Sequence, residues 1–573
     1  MNTSLEYIKT ETNIALMAKT LGISENLAIL LANRGIKTKN EALKYLKPVS
    51  HNFFNGSIKG FEEAKELLEN SKNKKICIYG DYDVDGVMSI AILKKMLKKM
   101  SEKYDVCHYV PHRVYEGYGL NEGAIRKLHE KGCELLIVVD NGISAVEEIK
   151  FAKSLNLEVI VIDHHEPSSE LPPADVIINP KQLGCSYPFK EMCAAGLCYR
   201  FAMFLGCDEK KEEEFLIYAA IATLCDVVDL IEDNRVIVKS GLAAIKNLEN
   251  KGLLALLKRV VKTDEISEEA IGYYLGPCLN AAGRLDSAEM AISLILEEDE
   301  NKANELAELN ETRKELLKEA GDFLIEDDAD FIILHKQDLH ESLAGILAGR
   351  ISDKYNKPTL VLTGIDPLKG SGRSVDGFNL YKALAENRDL FARFGGHEMA
   401  AGLTMPLANL QALRNNLDLI PYNYDKQKKI LIDAEIPLSE VTYTRALELN
   451  FLRPFGRKNE APIFLTKNIE ISELRVMEEK NTLIFTFIQG AACGANVPKA
   501  CENERVIKGI CFGKIDEFKQ KIEARFEPYH AEKIKSGILR TVQLFADVAY
   551  HIEVNSFRGN KSVQMRILDV TII

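Results

Sequence analysis

Short apolar runs alternate with helical stretches along residues 74–180. The runs KKICIYG, VCHYV, ELLIVVD, EVIVID and DVIIN are too short for helices and predict buried β-strands. Most are separated by stretches such as EGAIRKLHEKG and AVEEIKFAKSLN, whose apolar residues recur at helical spacing. Strands that alternate with helices predict βαβ units and therefore a parallel sheet.

The flanking regions have different patterns. Residues 1–50 and 190–325 are mostly helical in pattern, and 301–328 predicts one long connecting helix. A second α/β segment follows, with FIILH, SLAGILAGRISDKYN, PTLVLT and then KGSGRS, whose Gly-Ser-Gly is typical of a turn. Beyond residue 425, short strands such as KKILID, LIFTFI and RVIKGICF predict a small β-barrel or sandwich.

These patterns predict an α/β protein of five regions. A parallel-sheet domain and a smaller α/β domain are joined by a helical segment, and a β-barrel domain follows. We expect the boundaries to be 1–50 for an N-terminal helical segment, 51–255 for the sheet domain, 256–328 for the connector, 329–410 for the smaller domain and 425–573 for the barrel.

Composition narrows the class of protein. The 573 residues are 46% hydrophobic and 28% charged, which is ordinary for a globular protein. The net charge of −12 argues against a broadly basic surface, although residues 421–573 carry 23 Lys and Arg against 20 Asp and Glu. No apolar run reaches the ~18–20 residues of a membrane span, and the N-terminus does not read as a signal peptide. Twelve scattered cysteines without a C-x-x-C pair favour a reducing cytoplasm over structural zinc or disulfides.

Acids and histidines follow three of the predicted strands. The first run, KKICIYG, is followed by Asp81, Asp83 and Asp85. The runs ELLIVVD and EVIVID end at Asp140 and Asp163, and His164 and His165 follow Asp163. The carboxyl ends of parallel strands meet at one edge of a sheet, so these side chains should form one cluster. Several carboxylates at such range repel unless cations compensate them, and oxygen ligands with one or two imidazoles suit Mn²⁺ or Mg²⁺.

Other interpretations of the same residues are possible. The pattern D-x-D-x-D-G also opens a calcium-binding EF-hand loop, but the twelfth position is Ile92 instead of Glu, and a strand precedes it instead of a helix. A single Asp at a strand end is often a turn former, and a His-His pair is often structural. From its spacing alone, Asp226, at the end of an apolar helical stretch, would be a helix cap.

Several positions have the chemistry to hold phosphate. Glycine lets a backbone approach phosphate closely, and arginine binds it through two hydrogen bonds. The candidates are Arg113, Arg284, Arg350, Ser371, Arg373 and His397. No Walker A loop, G-x-S-x-G or H-E-x-x-H motif occurs, which argues against an ATP-driven motor, a serine hydrolase and a zincin.

Taken in order, DYDVDG, VVDNG, IDHH and IATLCDVV resemble the DHH phosphoesterase superfamily. KGSGRS and GGHEMAAG resemble its DHH-associated substrate-binding domain, and LLANRGI, PHRVYEGYGL, LNAAGRL, GILAGR and RPFGRKN resemble segments of its single-strand-specific 5′→3′ exonucleases. The chain departs from the pattern at Tyr79, where many relatives carry His. The resemblance also implies that the C-terminal β region is an OB-fold.

The resemblance implies a role for each site residue. It implies a metal-ligand set of Asp81, Asp83, Asp85, Asp140, His164 and Asp226. Asp140 would bridge two metals and His165 would lie against the scissile phosphate. Arg113, Arg284, Ser371, Arg373 and His397 match positions that hold nucleic-acid phosphates.

The resemblance therefore implies a single-stranded-DNA exonuclease of DNA repair and recombination that uses two divalent cations, Mn²⁺ or Mg²⁺. A helicase and a single-strand-binding protein would be its partners, and no membrane would be involved. Two alternatives stay open: a DHH phosphodiesterase of short oligonucleotides or cyclic dinucleotides, and an inactive DHH scaffold. A DHH pyrophosphatase is disfavoured because those chains are much shorter.

Overall fold

A computed structural model describes residues 4–47, 53, 56–71, 74–101, 104–263, 265–321, 329–422, 424, 427–489, 505–539, 543–557 and 560–573. The chain opens with a short strand and three helices: β1 (Ser4–Tyr7), α1 (Ile14–Leu21), α2 (Glu25–Asn33) and α3 (Lys39–Leu46). Asn13, Ser24 and Thr38 begin these helices, because each side chain accepts a backbone N–H of the first turn.

The first α/β domain contains a five-stranded sheet. Its elements are α4 (Phe61–Asn70), β2 (Lys75–Tyr79), α5 (Val84–Met100), β3 (Asp105–Tyr109), α6 (Glu122–Glu130), β4 (Leu135–Val139), α7 (Val146–Ser154), β5 (Glu158–Ile162) and β6 (Val176–Ile178). All neighbouring strands pair in parallel in the order β3-β2-β4-β5-β6, which confirms the predicted parallel sheet. Both faces are buried, since alternate residues such as Ile137 and Val138 belong to different hydrophobic clusters.

A largely helical region follows the sheet. It comprises α8 (Ala194–Phe204), α9 (Glu209–Cys225), α10 (Glu232–Ala244), α11 (Lys251–Val260), α12 (Glu268–Ala270), a π-helical turn (Ile271–Leu275), α13 (Gly276–Leu285), α14 (Glu289–Leu296) and α15 (Asn301–Glu319). The prediction of one helix over 301–328 was too long, because Gly321 adopts a left-handed φ of 90° just after the last turn. Residues 322–328 lie outside the described residues.

The second α/β domain has a mixed sheet. Its elements are β7 (Ile332–His335), α16 (Ala344–Tyr355), β8 (Thr359–Thr363), β9 (Leu368–Arg373), α17 (Leu380–Ala385), β10 (Arg393–His397), β11 (Ala400–Met405) and α18 (Leu410–Asp418). The sheet order is β10-β11-β9-β8-β7.

All of KGSGRS except Ser374 belongs to strand β9, so its prediction as a turn was wrong. Its glycines serve packing: a Cβ at Gly370 would lie 2.6 Å from the Leu362 side chain, and one at Gly372 would lie 2.9 Å from Leu380. A strand with side chains at these two positions would collide with the apolar layer beneath it.

The C-terminal region contains seven described strands and three α-helices. These are β12 (Lys429–Ile432), β13 (Ala434–Glu435), α19 (Tyr443–Leu449), β14 (Phe464–Met477), β15 (Thr482–Gln489), β16 (Arg505–Phe512), α20 (Ile515–Arg525), α21 (Pro528–Lys535), β17 (Phe545–Phe557) and β18 (Asn560–Ile572). The sheet order is β13-β14-β15-β16-β18-β17, and β17 pairs back to β14, as expected for a barrel.

The chain forms two compact units. The first contains residues 1–47, 427–455 and 460–573, and the second contains residues 48–426 and 456–459. In the first unit β1 pairs in parallel with β12, and Leu27 and Leu31 of α2 share a hydrophobic core with barrel residues such as Phe485. In the second unit, Leu279, Ile292 and Leu306 of the helical region share the core of the parallel sheet.

Among the described residues, no single helix is long and apolar enough to cross a bilayer. Helices α1 and α2 reach that length and hydropathy only as a pair, which is bent by 110°.

Candidate metal centre

Four parallel strands deliver polar residues to one edge of the sheet. β2 leads into Asp81 and Asp83, β4 into Asp140, β5 into Asp163, and β6 into Asn179 and Lys181. This is the carboxyl edge, where open parallel sheets bind ligands. Asp226 reaches the same place from the C-terminal end of α9.

The predicted ligand side chains lie together in the second unit. Three sets have ligand atoms within 4.8 Å of one another: Asp81, Asp83 and Asp140; Asp85, His164 and Asp226; and Asp140, His164 and His165. Nε2 of His164 is 3.3 Å from Asp140 Oδ1, 3.6 Å from Asp226 Oδ2 and 3.8 Å from Asp85 Oδ2. All six residues proposed as ligands therefore meet in one cluster, with Asp140 and His164 at its centre.

Local backbone geometry fixes the carboxylates. Asp83 is the N-cap of α5 and accepts the backbone N–H groups of Asp85 and Gly86. The Asp85 carboxylate accepts two N–H groups at the start of α8, from Ala194 at 2.7 Å and from Ala195 at 2.8 Å. Asp140 has a left-handed φ of 61°, a conformation that is uncommon for a residue with a side chain and typical of sites under functional constraint.

Burial and mutual repulsion make the carboxylates hard to ionise. Burial raises the pKa of Asp140, and the charges of Asp85, Asp83, Asp81 and Asp226 raise it further. Burial, followed by the charge of Asp83, raises the pKa of Asp81 and that of Asp85, the latter to about 6. Bound cations would reverse these shifts, because they stabilise the ionised carboxylates.

Within the cluster, two ligand-type atoms are buried without a hydrogen-bond partner among the described residues. They are Oδ1 of Asp81 and Nε2 of His164. Burial, together with the charge of His165, lowers the pKa of His164 to about 3, so its imidazole is neutral at pH 7 and able to ligate. Orphaned buried acceptors usually indicate an ion or water, and these fit a divalent cation.

Asp163 orients the histidine pair and is not a member of the three ligand sets. Its Oδ1 accepts Nδ1–H of His165 at 2.7 Å, and its Oδ2 accepts the N–H of Ile143 at 2.9 Å. Burial alone would lower the pKa of His165, but the hydrogen bond and charge of Asp163 raise it to about 9. His165 is therefore a cation at pH 7, beside the neutral His164.

Most of the predicted phosphate-binding residues surround the cluster. The Arg113 guanidinium lies 4.8 Å from the centre of the Tyr82 ring. Arg284 is buried and donates to the Ser342 carbonyl at 3.1 Å, and Arg373 donates to Oγ of Ser371 at 3.3 Å. Burial, followed by the charge of Arg113, lowers the pKa values of Arg284 and Arg373, so the Arg113 guanidinium lies within electrostatic range of each of the other two.

His397 and Arg350 occupy different positions. The His397 ring on β10 stacks against His165, with ring centres 6.2 Å apart and an interplanar angle of 18°. Arg350 is exposed on α16 and acts on Arg313, whose pKa is lowered by burial and then by the Arg350 charge. The arginine set thus continues through Arg313, a residue that sequence reasoning missed.

Lys181 is a second residue that sequence reasoning missed. Its Nζ contacts Glu166 Oε1 at 2.8 Å and Glu191 Oε2 at 3.3 Å, and its charge acts on Asp226, His164 and His397. The available signal was its place in INPK, two residues after the Asn that ends the DVIIN run. That run was interpreted only as a strand, because no acid or histidine follows it.

Comparison with known proteins agrees with this geometry. Family models match residues 75–225 (DHH family, N-terminal domain), 328–420 (DHHA1 domain) and 432–569 (RecJ OB domain). The single-stranded-DNA-specific exonuclease RecJ of Haemophilus influenzae is 30% identical over 89% of this chain and 90% of its own length. The chain belongs to the RecJ family.

Other RecJ proteins extend the comparison. RecJ of Bacillus subtilis is 37% identical over 81% of this chain, and the match spans 62% of that protein. The fold of Thermus thermophilus RecJ, crystallised with Mn²⁺, superimposes with a TM-score of 0.80 and 24% identity, covering 99% of this chain and 78% of that one. The predicted fold class, including the RecJ OB domain, is confirmed by these matches.

Proposed function

We propose that the chain is a single-stranded-DNA-specific 5′→3′ exonuclease that hydrolyses phosphodiester bonds with two divalent cations, Mn²⁺ or Mg²⁺, in DNA repair and recombination. One observation carries the proposal: six carboxylate and imidazole ligands from separate strand ends and α9 meet with ligand atoms within 4.8 Å in each set. The RecJ relatives are named as single-stranded-DNA-specific exonucleases, which supports the same substrate.

The ligand sets indicate which residues would hold each metal ion. Asp81 and Asp83 belong to one set, Asp85 and Asp226 belong to another, and Asp140 lies 3.3 Å from the histidine of the second set. Asp140 is therefore the proposed bridging ligand. When bound, the two cations would lower the pKa of a water, orient the phosphate and stabilise the leaving oxygen.

Positively charged side chains of the protein would hold the substrate. Arg113, Arg284 and Arg373, with Ser371, would bind phosphate oxygens through guanidinium and hydroxyl donors. His165 is held as a cation by Asp163 and would contact the scissile phosphate. Because these groups belong to both α/β domains, the strand would lie between them.

The two α/β domains are in contact beside the metal centre. The His165 and His397 rings, one from each domain, stack with their centres 6.2 Å apart. This contact would keep a duplex out, and we propose that only the end of a single strand reaches the metals beside it.

The first unit would contribute further contacts to the strand. OB-folds bind single strands by stacking bases on aromatic side chains and by Lys and Arg contacts. In this unit Phe512 and Tyr529 are more than half exposed, and Lys533 lies 4.2 Å from the centre of the Tyr529 ring. A helicase and a single-strand-binding protein are the proposed partners, and the cytoplasm is the proposed location.

The experiment offers several substrates to the full-length protein with Mn²⁺. These are 5′-labelled and 3′-labelled single strands, duplex, dinucleotide, cyclic dinucleotide and pyrophosphate. The proposal predicts rapid consumption of single strands, with the 5′ label released first as a mononucleotide. Consumption of dinucleotides alone would favour the small-substrate phosphodiesterase, and consumption of nothing would favour the scaffold.

Two variants make the test specific to the site. Asp140→Ala should lose the activity. Asp105→Ala, an exposed carboxylate at the opposite end of β3, should keep it. Equal activity of the two variants would contradict the assignment.

A further inference from the structure

Helix α13 presents one face of small residues to the metal centre. Gly276, Asn280 and Gly283 are spaced by four and three positions, so they form one stripe along two turns of the helix. The next residue, Arg284, is one of the proposed phosphate-binding arginines. None of the three stripe residues belongs to the ligand sets described above.

The first end of the stripe touches the helix that delivers Asp226. A Cβ at Gly276 would lie 2.5 Å from Sγ of Cys225, which is shorter than side-chain contacts allow. Cys225 is the last residue of α9 and directly precedes Asp226. Only glycine lets α13 approach this point so closely.

The other end of the stripe touches the loop that delivers Asp81 and Asp83. A Cβ at Gly283 would lie 2.3 Å from the carbonyl oxygen of Tyr82, the residue between these two acids. One turn earlier, Oδ1 of Asn280 accepts the backbone N–H of Val84 at 3.1 Å. This N–H is at the start of α5, where the free donors of a helix need acceptors.

The two contacts matter because the metal ligands come from distant parts of the chain. Asp81 and Asp83 follow a strand of the sheet, whereas Asp226 ends a helix and has no strand to set its position. The set that contains Asp226 adjoins the set that contains Asp81 and Asp83, since His164 of one is 3.3 Å from Asp140 of the other. A small shift of α9 against the loop would therefore change the ligand distances in both sets. Helix α13 contacts both α9 and the loop that carries Asp81 and Asp83.

The same helix also reaches the second α/β domain. Arg284 donates to the Ser342 carbonyl at 3.1 Å, just before α16. Helix α13 therefore also carries one of the proposed phosphate-binding arginines and contacts the second α/β domain.

We infer that Asn280, with Gly276 and Gly283, is a positioning residue that sets the separation between Asp226 and the pair Asp81 and Asp83. The inference rests on the proposed metal-ligand role of these acids. Asn280 touches the backbone of the ligand loop, so it acts through that loop and not on the substrate. Residues that orient metal ligands typically change metal affinity or activity by roughly 10–100-fold when replaced.

The test compares three variants of the full-length protein. Asn280→Ala removes the acceptor for Val84, and Gly283→Ala drives a methyl group against the Tyr82 carbonyl. Gly272→Ala is the matched control, because a Cβ at this neighbouring glycine would meet no atom within 4 Å. Each metal-free protein is titrated with Mn²⁺ in the absence of DNA, and free Mn²⁺ is measured by electron paramagnetic resonance.

We expect Asn280→Ala and Gly283→Ala to bind Mn²⁺ roughly 10–100-fold more weakly, and Gly272→Ala to bind as the parent does. At saturating Mn²⁺, kcat should fall while KM for a short oligonucleotide stays unchanged. Should Gly283→Ala fail to fold, Asn280→Ala decides. Wild-type Mn²⁺ affinity in folded Asn280→Ala, with only the melting temperature lowered, would overturn the inference.

The Mn²⁺ titration also separates this inference from the proposed function. If the parent protein degrades no DNA but its Mn²⁺ affinity falls in Asn280→Ala, the exonuclease proposal fails and the positioning role stands. If the parent degrades DNA and the variant binds Mn²⁺ normally, the reverse holds.

Discussion

Two buried carboxylates, one in each unit, have opposite surroundings. In the first unit, Asp569 is 2% exposed and accepts hydrogen bonds from Nζ of Lys521 at 2.7 Å and from Thr571, so the protein itself supplies the cation. In the second unit, Asp140 is 3% exposed and its nearest basic contact among the described residues is His164, which is neutral at pH 7. A buried carboxylate with its own cation is compensated within the fold, whereas a group of carboxylates without one marks a site for external cations.

The largest expected effect is at Asp140. Asp140→Ala should reduce turnover by far more than about 100-fold, because it removes the proposed bridging ligand and not merely a residue that supports one. Its melting temperature without metal should equal or exceed that of the parent, since like charges no longer repel. Turnover and thermal unfolding of the same preparation test this, and near-normal turnover in a folded variant would refute the bridging role.

His165→Ala should leave the metals in place and still impair catalysis. A cation that contacts the scissile phosphate contributes about 10²–10³-fold to turnover, by analogy with other charge-stabilising donors. Metal content, measured by mass spectrometry after dialysis, should be close to that of the parent. Loss of metal from this variant would mean that His165 is a ligand.

Removing the first unit should separate strand binding from cleavage. A fragment of residues 48–426 should hydrolyse very short oligonucleotides but bind long single strands poorly. Each lost phosphate contact should flatten the log–log salt dependence by about 0.7, and each lost stacked base should cost about 1–3 kcal/mol. The measurement is binding of a long and a short oligonucleotide against salt. Equal weakening for both lengths would rule out a strand-binding role for this unit.

In the first unit, loss of a buried charge should affect stability and not chemistry. Asp569→Ala should lower the free energy of unfolding of this unit by about 1.5–3 kcal/mol, the usual contribution of a hydrogen bond to a charged group. Turnover of short oligonucleotides should not change. Glu479→Ala, at an exposed position in the same unit, is the control for the denaturant titration. A drop in turnover without a drop in stability would contradict the comparison.

The smallest effect should come from His551. Burial lowers the pKa of this histidine to about 4, whereas in the unfolded chain it is near 6.5. Between these pH values His551 is protonated in the unfolded chain but not in the folded protein. The contribution of neutral His551 to stability is therefore complete above pH 6.5 and declines as the pH falls towards 4. His551→Gln should reduce the loss of stability between pH 7.5 and 5.5, and an unchanged loss would show that His551 does not contribute.

Local patterns predicted the sheet and its acids well. Continuous apolar runs such as LLIVV allow only buried strands, and the acids that follow them must then share the carboxyl edge. Asp226 was different, because its helical pattern indicates a cap. It is indeed the C-cap of α9, and only the packing of that helix brings it to the cluster.

The features that could not be predicted from the sequence depend on contacts between distant residues. β14 begins with FLTKNIEI, where lysine and asparagine interrupt the apolar alternation, and its irregular pairing near Thr466 and Ile469 explains why. The parallel pairing of β1 with β12 joins residues more than 400 positions apart, which no local pattern encodes. Asn280 was equally hidden, since its partner is a backbone N–H.

Anomalous diffraction from crystals soaked in Mn²⁺ would show directly whether the cluster holds two metal ions. We expect two manganese peaks, one among Asp81, Asp83 and Asp140 and one among Asp85, His164 and Asp226. Both peaks should disappear or weaken in Asp140→Ala crystals. The absence of anomalous density at the cluster in crystals of the active parent protein would refute the two-metal site.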